Sequence, residues 1–380
     1  MDILHAHCAG RDVHKASILA CAMLIVDGEV IRHSRRFGTT TAELLEMADW
    51  LASLGVTHVA MESTGVYWKP VYHILEGRFA LLLVNAQHIK RVPGRKTDVK
   101  DAEWIAQLLQ HGLLAPSFVP PPPIRELRDL TRQRTQLVRE RATVVHRIHK
   151  VLEDANIKLA CVVTDILGKS GRDMIRALSA GETDPDPLAE LARGSLRKKK
   201  PELRQALYGR VTDHHRFLLR TLMGQEEHLE GQIARYSERI AEVMAPFAAA
   251  AARLRQVPGI GGPAAEVIVA EIGVDMERFP TAGHLASWAG LCPGNHESAG
   301  KRRSGRTTKG SQWLRTTLVQ VAWAATHTKQ TVFGAAYRRW VKRLGKKKAL
   351  VAVAHKILTV IYTLLKQGTD YREHWTPEAA

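Results

Sequence analysis

Apolar positions over the first 115 residues come in short bursts with a spacing of two, broken by stretches that repeat every three or four residues. Ile3–Ala9, Ala16–Val26 and Val30–Phe37 read as strands, with Asp27-Gly28 as a hairpin turn before the third. Thr41–Leu54 places Leu44, Leu45, Ala48 and Leu51 at helical spacing behind a threonine-rich N-cap. Thr57–Met61 then reads as a short buried strand, Trp68–Glu76 as a helix, Ala80–Val84 as a strand and Asp98–Gln110 as a helix. Three strands followed by helix, strand, helix, strand and helix predict a mixed α/β sheet.

The run Val119-Pro120-Pro121-Pro122-Pro123 favours extended geometry and marks a boundary. Beyond it the pattern changes to long helices. Leu127, Leu130, Arg134, Leu137, Arg141, Val144, Ile148 and Val151 alternate spacings of three and four. A cleaner seam follows through Leu219, Leu222, Glu226, Leu229, Ile233, Tyr236, Ile240, Val243 and Phe247. This is the spacing of long coiled-coil helices, which pair within one chain or across chains; the Arg and Glu residues inside the seams depart from a pure coiled coil. Residues 154–213 read as irregular, with an acidic proline turn at Asp184-Pro185-Asp186-Pro187 and a basic run at Arg197-Lys198-Lys199-Lys200. From residue 252 a third segment begins, closed by apolar helices at Gln312–Thr326 and Ala349–Lys366. The expected organisation is thus 1–118 as an α/β domain, 119–251 as a linker and coiled-coil domain, and 252–380 as a mainly helical domain.

Charge narrows the functional classes. The 380-residue chain has 55 Lys and Arg against 38 Asp and Glu, a formal charge of +17, which points to a polyanionic partner and first of all to nucleic acid. Apolar runs such as Val243–Ala252 and Ala349–Ala354 fall short of the roughly 20 residues of a bilayer span, and the N-terminus has no signal-peptide pattern. A cytoplasmic, nucleoid-associated protein without membrane contact is expected. Four scattered cysteines without a Cys-x-x-Cys argue against a disulfide frame or a zinc knuckle.

Phosphodiester chemistry with magnesium needs carboxylates that converge on hard cations from rigid elements. Asp12 is expected just past the first strand, in Gly10-Arg11-Asp12-Val13-His14-Lys15, and Glu62 at the end of a buried strand, in Met61-Glu62-Ser63-Thr64-Gly65. Asp98 and Asp101, in Lys96-Thr97-Asp98-Val99-Lys100-Asp101-Ala102, stand three apart, on one face of a helix. By themselves, strand-end carboxylates are also ordinary solvated residues, and Asp98 suits a helix N-cap.

These pieces resemble the DEDD motif of the insertion-sequence one-ten family of transposases, and the order of elements over residues 1–118 suits the RuvC-like, ribonuclease-H-like domain of that family. Asp12, Glu62, Asp98 and Asp101 match the four family acids. Arg11 departs from the pattern, since the position before the first acid is more often apolar. The resemblance extends to the third segment and is strongest over Leu291-Cys292-Pro293-Gly294-Asn295-His296-Glu297-Ser298-Ala299-Gly300-Lys301. On residue type alone, a serine in a basic, glycine-rich loop is more often a phosphate-binding or solvated group than a nucleophile. The family places its nucleophilic serine in this Glu-Ser context, which implies Ser298, with Ser304 as the rival. Lys301, Arg302, Arg303, Arg306 and Lys309 supply cations for the phosphate oxygens.

Pro258-Gly259-Ile260-Gly261 resembles a helix-hairpin-helix, in which Gly259 and Gly261 would offer backbone N–H groups to a phosphate; a plain glycine turn between packed helices has the same sequence. Gly168-Lys169-Ser170-Gly171 lacks the rest of a P-loop and reads as a loop. The resemblance implies magnesium on Asp12, Glu62, Asp98 and Asp101, a phosphoserine intermediate at Ser298, and donor and target DNA chosen by a structured bridge RNA. The heptad seam from Leu219 to Phe247 predicts a homo-oligomer, dimer or tetramer. A junction nuclease using water, and a non-catalytic nucleic-acid scaffold, remain the alternatives from other classes.

Overall fold

A computed structural model describes residues 3–63, 65–85, 101–294, 296–298 and 301–373, with 296–298 and 301–304 as backbone. The chain forms two compact units, residues 1–119 and 120–380. The first contains β1 (His7–Val13), β2 (Ile18–Val26), β3 (Glu29–Phe37), α1 (Thr41–Ser53), β4 (His58–Glu62), α2 (Trp68–Leu75), β5 (Ala80–Val84) and α3 (Asp101–Gln110). The predicted mixed sheet is present. Its order is β3-β2-β1-β4-β5, with an antiparallel meander over β1 to β3 and with β4 and β5 parallel to β1.

Strand boundaries move. The first strand begins at His7 rather than Ile3, because the amides of Leu4 and His5 donate to the Gln110 carbonyl at the end of α3 instead of to a strand. It also runs on past Ala9 to Val13, paired with β2, so Asp12 lies on β1 and not just past it.

Successive side chains of a strand point to opposite faces, so each face can be read from one strand. Ala9, Val13, Ala20, Val59 and Met61 pack with Leu44, Met47, Leu51 and Val71 of α1 and α2. Cys8, Cys21, Met23 and Ala60 pack with Ala102, Ile105, Ala106 and Leu109 of α3. Helix α1 starts with a Thr40–Glu43 capping box, as its threonine-rich entry predicts.

Arg11 falls on the α1–α2 face by this alternation. It is fully buried, none of its guanidinium nitrogens has a hydrogen-bond partner, and burial pushes its pKa down to about 9. Its ladder partner on β2 is Ala20, whose small side chain leaves room for it. A buried, uncompensated cation is destabilising, so Arg11→Met is expected to stabilise the first unit by about 1–4 kcal/mol at neutral pH, read from the denaturation midpoint. The folded pKa lies below the unfolded one, so above about 9 the unfolded chain binds more protons and native stability rises with pH. The gap between wild type and Arg11→Met should therefore narrow as pH climbs past that value, and a constant gap would contradict a strained cation.

The second unit contains α4 (Pro122–Asp154), α5 (Leu159–Val162), α6 (Lys169–Ala180), α7 (Pro185–Glu190), α8 (Lys200–Leu207) and α9 (Asp213–Met244). It continues with α10 (Ala248–Leu254), α11 (Gly262–Ile272), α12 (Ala282–Trp288), the hairpin β6 (His296–Ser298) and β7 (Lys301–Ser304), and α13 (Gln312–His327), α14 (Val332–Leu344) and α15 (Lys346–Gln367). The proline run is a helix start: Pro121 is the extended N-cap of α4, and Pro122 and Pro123 occupy a first turn that needs no N–H donors.

The two long helices lie antiparallel in one chain. His215 of α9 meets Asp154 at the end of α4, Glu226 meets Arg141, and Tyr236 and Arg239 lie beside Glu126 and Asp129 near the start of α4. Part of the heptad seam is packed within the chain: Leu219 and Leu229 are buried, while Leu222, Ile233 and Tyr236 are only partly so. Its polar members face one another: the fully buried Glu226 accepts from Arg141 Nε at 2.7 Å and from Arg172 of α6 at 2.7 Å.

Residues 154–213, expected to be irregular, fold into α5 to α8 and a 3₁₀ turn at Gly194–Lys199. Helices of 4 to 12 residues make too few turns for an apolar period to stand out. Gly168 is the N-cap of α6, so Gly168-Lys169-Ser170-Gly171 opens a helix rather than forming a loop. Residues 120–380 form one compact unit by their internal packing. Glu271 of α11 is fully buried and accepts from Arg132 of α4 at 2.7 and 2.9 Å and from Ser311 Oγ at 2.8 Å.

Helix α15 is long and apolar enough to cross a membrane by length and composition, more than its apolar runs suggested. Its Ala349, Val353, Ala354, Ile357, Leu358 and Ile361 are buried in the second unit, and it packs against α12, α13 and α14.

Candidate functional site

The carboxylates of the first unit are positioned by the face alternation. Gly10 of β1 faces α3 so closely that a Cβ there would stand 2.2 Å from the Ala102 carbonyl oxygen and 2.3 Å from the Ala106 amide. Asp12 is two residues further along the same face. The parallel ladder pairs Ala60 with Gly10 and Met61 with Arg11, and continuing that register brings Glu62 beside Asp12. Ala60 packs on α3, so Glu62, two residues on, shares its face. Asp101 opens α3 next to Ala102. The sheet therefore brings Asp12 and Glu62 to neighbouring strand ends, on the face that α3 covers with Asp101 at its start. Asp98 lies outside the described residues.

Two residues of this site were not singled out in the sequence. Gly10 is required by the approach of α3; an isolated glycine inside a strand pattern is the signal that marks such an approach. His14 Nε2 lies 2.9 Å from Asp12 Oδ2, at the spacing of two that puts both on one strand face.

The donor set suits a hard divalent cation in kind, since all its members offer carboxylate oxygens. Among the described residues, no three of His, Cys, Asp and Glu lie close enough together to hold a metal ion.

In the second unit, Ser298 is placed on a strand rather than in a loop. It ends β6 and pairs with Lys301 of β7, Glu297 pairs with Arg302, and the rival Ser304 pairs with His296 at the other end of the ladder. Arg303 also lies on β7. The base of this hairpin is tied by a Pro293–Thr307 bridge and by the Gly294 amide donating to the Arg306 carbonyl at 2.7 Å. Arg306 and Lys309 are exposed just beyond it.

The two glycines of the expected helix-hairpin-helix separate in role. Gly259 has φ +90°, and a Cβ there would stand 2.4 Å from the Val321 carbonyl oxygen, so it serves the packing of α13. Gly261 caps α11 with open space around it. Both glycines line a groove of about 480 Å³ with Arg139 and Trp313, the guanidinium lying 5.1 Å from the ring centre.

With an acid-bearing mixed sheet in one unit and a basic hairpin in a helical other, the chain has the two parts of a DNA-rearranging enzyme. Residues 9–157 match a family model described as transposase, of the IS110 DEDD kind, and residues 251–338 match one described as transposase IS116/IS110/IS902 family. The chain is similar to the transposase for insertion sequence element IS1111A of Coxiella burnetii, with 26% identity over 85% of this chain and 81% of that protein. It is 25% identical to the insertion element IS116 uncharacterized 44.8 kDa protein of Streptomyces clavuligerus, over 76% of this chain and 78% of that one. Over a shorter stretch, 32% of this chain and 38% of the relative, it is 30% identical to the pilin gene-inverting protein of Moraxella bovis. The class is transposase. The chain belongs to the IS110 family of these enzymes.

Proposed function

We propose that this transposase cuts and rejoins DNA through a covalent serine intermediate, with Ser298 as nucleophile and Asp12, Glu62, Asp98 and Asp101 as a magnesium site. The observation that carries the reading is the grouping of Asp12 and Glu62 at adjacent strand ends under α3, in a sheet ordered β3-β2-β1-β4-β5 that suits the ribonuclease-H-like expectation.

Bound magnesium would supply Lewis-acid polarisation of the scissile phosphate and a lower cost for deprotonating the attacking oxygen. The chain's own contribution is geometric and electrostatic. Ser298 Oγ forms a bond to phosphorus and the P–O3′ bond breaks, so the DNA 5′ phosphate becomes attached to the serine. The serine proton is lost and the departing 3′ oxygen takes one up, so the phosphodiester bond energy is kept for rejoining. Lys301, Arg302, Arg303, Arg306 and Lys309 neutralise the non-bridging oxygens as charge builds on them. The acids and the serine belong to different units, so the reaction requires them to meet, in one chain or between copies in a dimer or tetramer. Donor and target DNA are the substrates. A structured bridge RNA would select them by pairing, leaving the protein to bind shape and backbone.

The test is mass spectrometry of nuclease-digested complexes trapped during strand cleavage. A phosphonucleotide mass on Ser298, retained in Ser304→Ala and absent in Ser298→Ala, is the expected result. An adduct on Ser304, or full cleavage by Ser298→Ala, overturns the assignment, the latter in favour of a nuclease that uses water.

A further inference from the structure

Beside the hairpin that carries Ser298 lies a cleft of about 1090 Å³. Leu291, Cys292 and Pro293 form its wall where the chain enters the hairpin, and Gly305, Arg306 and Thr307 where it leaves. The opposite wall is the first turns of α15, with Lys347, Lys348, Val351, Ala352 and His355, and Arg315 of α13 closes one side. None of the lining residues is acidic.

Several arginines of α4 and α6 are taken up by internal pairs: Arg132 with Glu271, Arg134 with Glu266, Arg141 and Arg172 with Glu226. Among the described residues, Arg315, Lys347 and Lys348 have no ion-pair partner, although the chain folds them around one concavity. Several unneutralised cations facing one space hold a standing positive potential there, which a polyanion relieves. Leu291, Leu344, Val351 and Ala352 add an apolar surface inside the cationic rim. Phosphates outside and flat apolar bases within are the chemistry of a single nucleic-acid strand. Clefts of about 300–1,000 Å³ hold one drug-sized ligand, so this one has room for a few nucleotides.

We propose that this cleft holds an unpaired stretch of the DNA strand that Ser298 attacks, with bases against Val351 and Ala352 and phosphates on Arg315, Lys347 and Lys348. The proposal rests on the phosphoserine reading for its choice of strand. The cleft then has a positioning role: the strand is threaded along α15 so that the next phosphate falls at the hairpin.

The experiment uses the full chain in a Ser298→Ala background, so that covalent capture does not contribute, and reads anisotropy of labelled oligothymidylate, oligouridylate and a duplex, each of about 12 nucleotides. Arg315→Gln, Lys347→Gln and Lys348→Gln together are expected to weaken oligothymidylate binding by at least about tenfold. They should also reduce the slope of log affinity against log salt by about 2, at ~0.7 for each single-strand phosphate contact. Arg147→Gln, Lys150→Gln and Arg220→Gln, which remove the same charge from exposed positions on α4 and α9, should change both far less. Ala352→Trp fills the cleft without touching a cation and should also weaken the single strand, more than the duplex.

Equal losses from the two triple variants, or no effect of Ala352→Trp, overturn the cleft as a strand site. A loss confined to oligouridylate assigns it to RNA and overturns the DNA proposal. An adduct on wild-type Ser298 with unaltered cleft binding leaves the phosphoserine reading standing and removes only this inference. Cleft binding without an adduct does the reverse.

Discussion

Asp101→Asn is expected to lower strand cleavage about 1,000-fold, the scale of losing one organised electrostatic partner of a transition state, or more if a metal ligand is lost outright. The substitution keeps the shape of the side chain at the start of α3 and removes its charge. Ala102 and Ala106, which seat α3 against Gly10, are untouched, so the helix should remain in place. An aspartate in a first helical turn contributes about 0.3–1 kcal/mol through the helix dipole, too little to unfold the unit when lost. Binding of DNA and RNA should stay within about twofold, because that affinity comes from cations that neutralise phosphates. The measurement pairs single-turnover cleavage with anisotropy on one preparation. Wild-type cleavage by folded Asp101→Asn would remove Asp101 from the metal site.

Glu226→Ala is expected to destabilise the second unit by about 3–5 kcal/mol, the usual consequence of deleting one partner of a buried ion pair. Glu226 is fully buried between α4, α6 and α9, where Arg141 and Arg172 share its two oxygens. Its removal leaves Arg172, itself only 14% exposed, with Glu230 and Glu227 at the surface side and nothing behind. Glu226→Gln should fall between wild type and Ala, since the amide oxygen still accepts. The check is equilibrium denaturation monitored by circular dichroism, and a loss below about 1 kcal/mol would show that water repairs the site. Replacing Glu226, Arg141 and Arg172 together with apolar residues should recover much of the loss, because the desolvation cost then disappears with the pair.

The polar residues inside the heptad seams illustrate how far a linear pattern reaches. Spacing alone marked Arg134, Arg141 and Glu226 as exceptions within an apolar stripe. What answers Arg141 and Glu226 is the antiparallel pairing of α4 with α9, with Arg172 on a helix the pattern did not reveal, and Arg134 is answered by Glu266 of α11. Arg11 is the converse case. It lay beyond the strand expected at Ile3–Ala9, and its place on β1 and its burial without a partner follow from Ala20 across the ladder and from helices on that face, which only folding assembles.

By itself the sequence determined the strand and helix order of the first unit, the long helices, the basic character and the candidate acids. Each of these depends on residues close together in the chain, where side-chain period and local chemistry act directly. Only the tertiary structure decided that Asp12 and Glu62 stand side by side beneath α3, that Gly10 makes room for that helix, and that Arg315 and Lys347-Lys348 share a cleft with the hairpin of Ser298. These juxtapositions join residues tens of positions apart. They follow from strand register and from which helix face is buried, and both are settled by packing the whole unit at once.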